Sequence, residues 1–301
     1  MKSFPVFLLT ILAAAPAPAF AQRPFRSEVD LVHCTVVVTD KRGVPITGLT
    51  ADDFEILEEG KPQTVEFFAA GDPATAPPLH VGFLLDTSGS MEEDIKDVRT
   101  AAIKFLGTME EAKDITLVDF DTEVRVARFD AAGYPRLIER IRGRKPDGFT
   151  ALYDAIGVYL NGAAAQDGQK VLIMYTDGGD TRSALNRGEV VELLRASDVT
   201  VYVLGYLEHQ GSAATAQRQQ LDGFAAMTGG RALFPANLKE VDKMYDTVRR
   251  DIEGRYSLGY VSTDPRTDGA WRRVEIKVKR PDAKGARIRT RDGYFAIKKG
   301  G

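Results

Sequence analysis

The sequence predicts an α/β fold: a doubly wound, mostly parallel six-stranded sheet inserted into a discontinuous all-β sandwich. Three observations predict it. Continuous apolar runs alternate with helix-period segments between about residues 79 and 250. β-patterned stretches flank that region on both sides, over 24–70 and 254–298. A Pro/Ala/Gly stretch, Gly71 to Pro78 (GDPATAPP), marks the first boundary between the two patterns.

The chain has 301 residues, a soft prior for about two domains. With 44% hydrophobic and 28% charged residues it has the composition of a folded protein. A net charge of -3 provides no global basic field for nucleic acid or an anionic membrane. Lys2, the apolar stretch Phe4 to Ala15 and the small-x-small site Ala19-Phe20-Ala21 read as a signal peptide over 1–21. The apolar stretch is short for a membrane span and is broken by Pro16 and Pro18; no later run is long enough to cross a bilayer. The expected product is therefore exported, to the periplasm or the medium, with no transmembrane segment after cleavage. Cys34 is the single cysteine, so no intramolecular disulfide can form, and its place in a strand-like run reads as a buried thiol.

Glu28 to Thr39 is β-branched and partly alternating, which predicts a strand. Phe54 to Glu58 and Gln63 to Phe68 alternate about the turn Glu59-Gly60-Lys61, which predicts a hairpin with one buried face. In the α/β region strands are expected at 80–86, 114–120, 123–129, 170–176 and 199–205, with a short one near 231–234. Helices are expected at 91–106, 134–142, 151–165, 187–197, 213–228 and 238–252. Continuous apolar strands separated by helices imply a parallel sheet covered on both faces. The strands at 114–120 and 123–129 are too close for a crossover, so they form an antiparallel hairpin at an edge. After Gly254, Arg255 to Val261, Trp271 to Lys279, Ala286 to Thr290 and Tyr294 to Ile297 are strand-like again. About three strands before the α/β region and four after it are each too few for a good core, so together they are expected to make one seven-stranded sandwich.

Chemistry concentrates where strands of the α/β region end. Asp86-Thr87-Ser88-Gly89-Ser90-Met91 follows the apolar run His80 to Leu85 and precedes a helical pattern. In an open α/β sheet, ligands bind in the crevice outside the carboxyl ends of the strands. One carboxylate and two hydroxyls are hard oxygen donors suited to Mg²⁺ or Ca²⁺. Two further strand and helix ends carry similar groups: Thr176-Asp177-Gly178-Gly179-Asp180, and Asp147-Gly148-Phe149-Thr150 before a helix. Ser88, Ser90 and Thr150 could each be helix caps, and Asp177 a turn residue. Five such groups at the tops of one sheet are harder to explain that way. Asp180 is a candidate for orienting its loop and is not assigned as a ligand.

The spacing DTSGS, then GFTALYDAI, then TDGGD resembles the von Willebrand factor type A domain, with its metal-ion-dependent adhesion site. The resemblance covers roughly residues 79–250 and fills all five positions of the site: Asp86, Ser88, Ser90, Thr150 and Asp177. The flanks VVVTDKRGVPITGLTADDFEILEEGKPQTVEFF and YSLGYVSTDP…RDGYFAI resemble a bacterial, notably acidobacterial, family of exported proteins built around this domain. The resemblance implies Mg²⁺, with Mn²⁺ or Ca²⁺ as alternatives, and a protein ligand whose exposed Asp or Glu completes the metal's shell. Two carboxylates only balance the ion's charge, so a third still feels its attraction. Glu93 and Asp94 stand where the β subunits of integrins place ligands for a second metal; the favourable place of acidic residues in a helix's first turn explains them better. The family also implies that the helix 238–252 could shift on ligand binding.

Three functions follow. The favoured one is a non-enzymatic binding module. The second is a Mg²⁺-dependent hydrolase or phosphatase using Asp86. Against it, Ser88 stands where a second acid is usual, Lys170 starts a strand away from the crevice, and none of His33, His80 and His209 has an obvious place near the serines. The third is an envelope protein whose metal serves stability alone.

Overall fold

A computed structural model describes residues 31–71 and 76–297; the expected signal peptide over 1–21 lies outside the described residues. No helix among the described residues is long and apolar enough to cross a membrane.

The α/β part runs β5 (Leu79–Asp86), α1 (Ile95–Leu106), β6 (Ala112–Phe120), β7 (Val124–Phe129), α2 (Tyr134–Gly143), α3 (Leu152–Ala163), β8 (Gln169–Thr176), α4 (Arg187–Ala196), β9 (Val199–Gly205), α5 (Ala214–Met227), β10 (Arg231–Leu233) and α6 (Val241–Glu253). Among the described residues its strands form one six-stranded sheet in the order β10-β9-β8-β5-β6-β7. All pairs are parallel except β6 with β7, which closes the edge as an antiparallel hairpin. Every residue of β5, β8 and β9 is buried, because helices cover both faces. The alternation of β5 divides its side chains: Phe83 and Leu85 join the core under α1, α2 and α6, while Leu84 joins the core under α3, α4 and α5.

The β part takes strands from both ends of the described chain: β1 (Leu31–Thr39), β2 (Phe54–Glu58), β3 (Lys61–Gln63) and β4 (Phe67–Ala70), then β11 (Tyr256–Val261), β12 (Trp271–Val278), β13 (Arg287–Arg289) and β14 (Gly293–Phe295). They make two four-stranded sheets among the described residues, β13-β1-β11-β4 and β14-β12-β2-β3. Val36, Val38, Phe54, Ile56, Leu258, Val274 and Ile276 supply the shared core. Each sheet pairs strands from before and after the α/β region: β1 and β4 with β11, β2 with β12. Cys34 is buried in β1, as its apolar surroundings predict, and burial pushes its thiol up to about 11.

Two expectations are corrected. The arm predicted as one strand over Gln63 to Phe68 is two, which makes the sandwich four strands on four rather than seven in all. Lys61–Gln63 pairs β2 at a sheet edge, where the missing N–H of Pro62 breaks no ladder. The chain then crosses to the other sheet, with the Glu66 N–H on the Gly259 carbonyl at 2.8 Å, and Phe67–Ala70 pairs β11. The helix predicted from Met91 begins later. A 3-10 turn, Gly89–Met91, comes first, with Met91 and Glu92 N–H groups on the carbonyls of Ser88 and Gly89. The α-helical pattern starts only where the Asp94 carbonyl accepts from Val98 at 3.1 Å. This tight turn holds Ser90 at the strand end instead of in a helix.

The two parts meet through buried polar groups. Arg255, two residues after the end of α6, donates to the Gln169 side chain, the Ile252 carbonyl and Glu111. Asp251 of α6 is fully buried and pairs with Arg231 of β10 at 2.5 Å and Arg289 of β13 at 2.6 Å.

Candidate metal centre

Asp86 is the last residue of β5, and Asp177 follows the last residue of β8. The two strands are neighbours in parallel register, so both carboxylates leave the sheet at the same end. This is also where the chain order reverses, since β6 lies on one side of β5 and β8 on the other.

Asp86 is 0% exposed. Its Oδ1 accepts from the Ser88 N–H at 3.0 Å and the Ser88 hydroxyl at 2.6 Å. Its Oδ2 accepts from the Thr176 hydroxyl at 2.7 Å, and that hydroxyl accepts from the Gly178 N–H at 3.1 Å. Ser88 and Ser90 share a hydroxyl–hydroxyl contact of 3.2 Å. Asp177 accepts from the Gly179 N–H at 3.2 Å and from Gln210 Nε2 at 2.7 Å, and Gln217 in turn holds Gln210 at 3.1 Å. Gly178 makes the sharp exit from β8 at a φ of +86°, a conformation that glycine adopts without strain.

Thr150 comes from a third loop and is buried. Its carbonyl accepts from Thr181 and Arg182 N–H groups at 2.9 and 3.1 Å, and its N–H donates to the Thr181 hydroxyl at 3.0 Å. The same loop is laced to the first. The Gly89 N–H reaches the Gly148 carbonyl at 3.2 Å, and the Asp147 N–H reaches the Thr87 carbonyl at 3.0 Å. Three loops distant in sequence are thus tied into one platform by backbone hydrogen bonds. Asp180 serves the platform: its carboxylate accepts from the Tyr153 N–H at 3.1 Å and the Ser183 hydroxyl at 2.6 Å, at the start of α3.

The electrostatics favour a cation. Burial, and then the charge of Asp177, raise the Asp86 carboxyl to about 7, against the opposing pull of its hydrogen bonds from Ser88 and Thr176. Among the described residues, neither Asp86 nor Asp177 has a Lys or Arg ion-pair partner. Two carboxylates and three hydroxyls, all oxygen, match the donor preference of a hard divalent ion. Among the described residues no group of three or more His, Cys, Asp or Glu is arranged to hold a metal.

Glu93 is exposed, while Asp94 is buried at the N-terminal boundary of α1; burial first, then Tyr245 and then Asp94, raise the Tyr175 phenol. Lys170 lies at the opposite end of β8, where it pairs with Asp198 at 2.6 Å. His80 is buried near the start of β5, beside Asp114 at 2.8 Å. Thr176, Thr181, Gln210 and Gln217 were not singled out from the sequence. Thr176 could have been, as a hydroxyl directly before Asp177 on a buried strand; the glutamines carry no local signal.

The von Willebrand factor type A domain model matches residues 80–247. Among solved structures, the chain is similar to a von Willebrand factor type A protein from Catenulispora acidiphila, at 12% identity and a TM-score of 0.50, over 91% of this chain and 76% of that one. It is similar to the pilus adhesin SpaC from Lactobacillus rhamnosus GG in its open conformation, at 11% identity and a TM-score of 0.50, over 87% and 49% of the two chains. The PilB minor pilin from Streptococcus sanguinis is similar at 17% identity and a TM-score of 0.47, over 60% of this chain and 62% of the pilin. The chain therefore spans about three fifths of that pilin's length, and at these identities the likeness is one of fold. No curated protein matches.

Proposed function

Because the chain belongs to the von Willebrand factor type A domain family, we propose that its platform is a Mg²⁺-dependent adhesion site that captures an acidic side chain of a protein partner. The observation that carries this reading is the convergence of Asp86 and Asp177, with three hydroxyl residues on loops laced to theirs and no basic partner among the described residues. Asp86, Ser88, Ser90, Thr150 and Asp177 would hold the ion, with Mn²⁺ or Ca²⁺ as alternatives. When bound, the ion supplies a positive centre that accepts a carboxylate oxygen from outside. The protein's part is positional. Thr176 and Ser88 aim Asp86, Gln210 aims Asp177, and the exposed Ser90 opens the platform to the surface.

The proposed role is binding without catalysis. Von Willebrand factor type A domains commonly serve as protein-interaction modules. The groups that aspartyl phosphoryl transfer would recruit lie elsewhere: Ser88 occupies the position two residues after Asp86, and Lys170 is 6% exposed at the far end of the sheet. The N-terminal pattern over 1–21, read as a signal peptide, supports an exported role for this module, in the periplasm or the medium.

The test is a pull-down from the native cell envelope and medium, run with Mg²⁺ and with chelator. Wild type is expected to retain a partner only with Mg²⁺, and Asp86→Ala to retain none. A partner held equally well in chelator contradicts the mechanism.

A further inference from the structure

Phe149 stands directly before the metal-site residue Thr150 and is 62% exposed, the most exposed large apolar side chain among the described residues. A lone surface apolar residue is ordinary and by itself needs no explanation. Phe149 differs because its backbone is fixed while its ring is left in water. Its N–H donates to the Thr122 hydroxyl at 2.9 Å. Gly148 before it sits at a φ of +77°, packed so that a Cβ there would lie 2.4 Å from that same hydroxyl. On either side, Asp147, Thr150 and Ala151 donate to Thr87, Thr181 and Asp121. The ring is thus presented by a locked loop, the arrangement in which an aromatic anchor loses little entropy on binding. Arg182 is exposed, has no ion-pair partner among the described residues, and is tied by its own N–H to the Thr150 carbonyl. The surface around Thr150 therefore offers an apolar group from one loop and a cationic one from another.

Building on the Mg²⁺-dependent reading, we infer that Phe149 sets the partner's local sequence: the segment captured carries an apolar side chain next to the carboxylate that reaches the metal. The proposed metal calls for an acidic segment, and Phe149 for an apolar neighbour within it. A wholly polar acidic loop satisfies the first demand only.

The probe is a library of short random peptides, selected in Mg²⁺ and eluted with chelator, on the purified wild type and on Phe149→Ser and Phe149→Leu. Phe149 is exposed, so the variants should keep the wild-type fold and the wild-type Mg²⁺ thermal shift. Wild type is expected to enrich peptides with Asp or Glu beside an apolar residue. Phe149→Ser should keep the acid requirement, lose the apolar preference and bind a wild-type-selected peptide about tenfold more weakly, while Phe149→Leu largely retains it. Acidic peptides with no apolar preference, or a preference unchanged in Phe149→Ser, overturn this inference and leave the adhesion site standing. Peptides lacking an acid, peptides that survive chelator, or no enrichment at all overturn the adhesion reading itself.

Discussion

Asp86 keeps a carboxyl wholly inside the protein, and its neutral hydrogen-bond donors explain how it is aimed. Thr176 carries particular weight. Its hydroxyl donates to Asp86 Oδ2 and accepts from Gly178, so one small group orients the first carboxylate and fixes the turn that delivers the second. Thr176→Val keeps the shape and removes both bonds. It should cost about 1–3 kcal/mol, because a buried acceptor and a buried donor each lose a partner; chemical denaturation in chelator measures it, and an unchanged midpoint would contradict the role given to Thr176. At this scale the sequence was legible where chemistry is written in residue identity. Asp86, Ser88, Ser90, Thr150 and Asp177 are candidates from residue type, spacing and a family resemblance, and the structure sets Asp86 and Asp177 at neighbouring strand ends with the loop of Thr150 laced to the first of them. Gln210 could not be named in advance, since its role depends only on where the loop after β9 comes to rest.

Elements were legible to the extent that burial follows a simple period. The central strands β5, β8 and β9 were recognisable because they read as near-continuous apolar runs, a pattern produced by cover on both faces, while the partly exposed edge strands β7 and β10 carry a weaker pattern. Sites where the chain changes sheet or helix type were not. The alternation from Gln63 to Phe68 has the same period on both sides of the crossing, so nothing local reveals that β3 and β4 belong to different sheets. The start of α1 was misplaced because Met91 fits a helical period while sitting in a 3-10 turn. Among the helices, α6 has a distinct duty. Its fully buried Asp251 holds Arg231 of the central sheet and Arg289 of the sandwich, tying the last helix to both parts. Asp251→Ala leaves two largely buried guanidinium groups without their shared anion and should destabilise the protein by about 3–5 kcal/mol. Equilibrium unfolding measures this; a loss below about 1 kcal/mol would place the pairs among surface-like salt bridges instead.

For the whole molecule, the α/β part is held between strands that the chain lays down before and after it. β11 lies between β1 and β4, and β12 pairs β2, so completing each sheet of the sandwich brings the two ends of the α/β region together at the base of its sheet. The candidate metal platform stands at the opposite end, at the carboxyl ends of β5 and β8. An ion bound there by the folded chain and not by the unfolded one must stabilise the whole molecule by mass action, by about 2.7 kcal/mol at a hundredfold excess over Kd. The most direct test is the thermal unfolding of wild type and Asp86→Ala across a Mg²⁺ titration, with chelator as the zero point. The account predicts a midpoint that climbs with Mg²⁺ in wild type and stays flat in Asp86→Ala. A wild-type midpoint indifferent to Mg²⁺, Mn²⁺ and Ca²⁺ alike, or an Asp86→Ala midpoint that climbs equally, would contradict it.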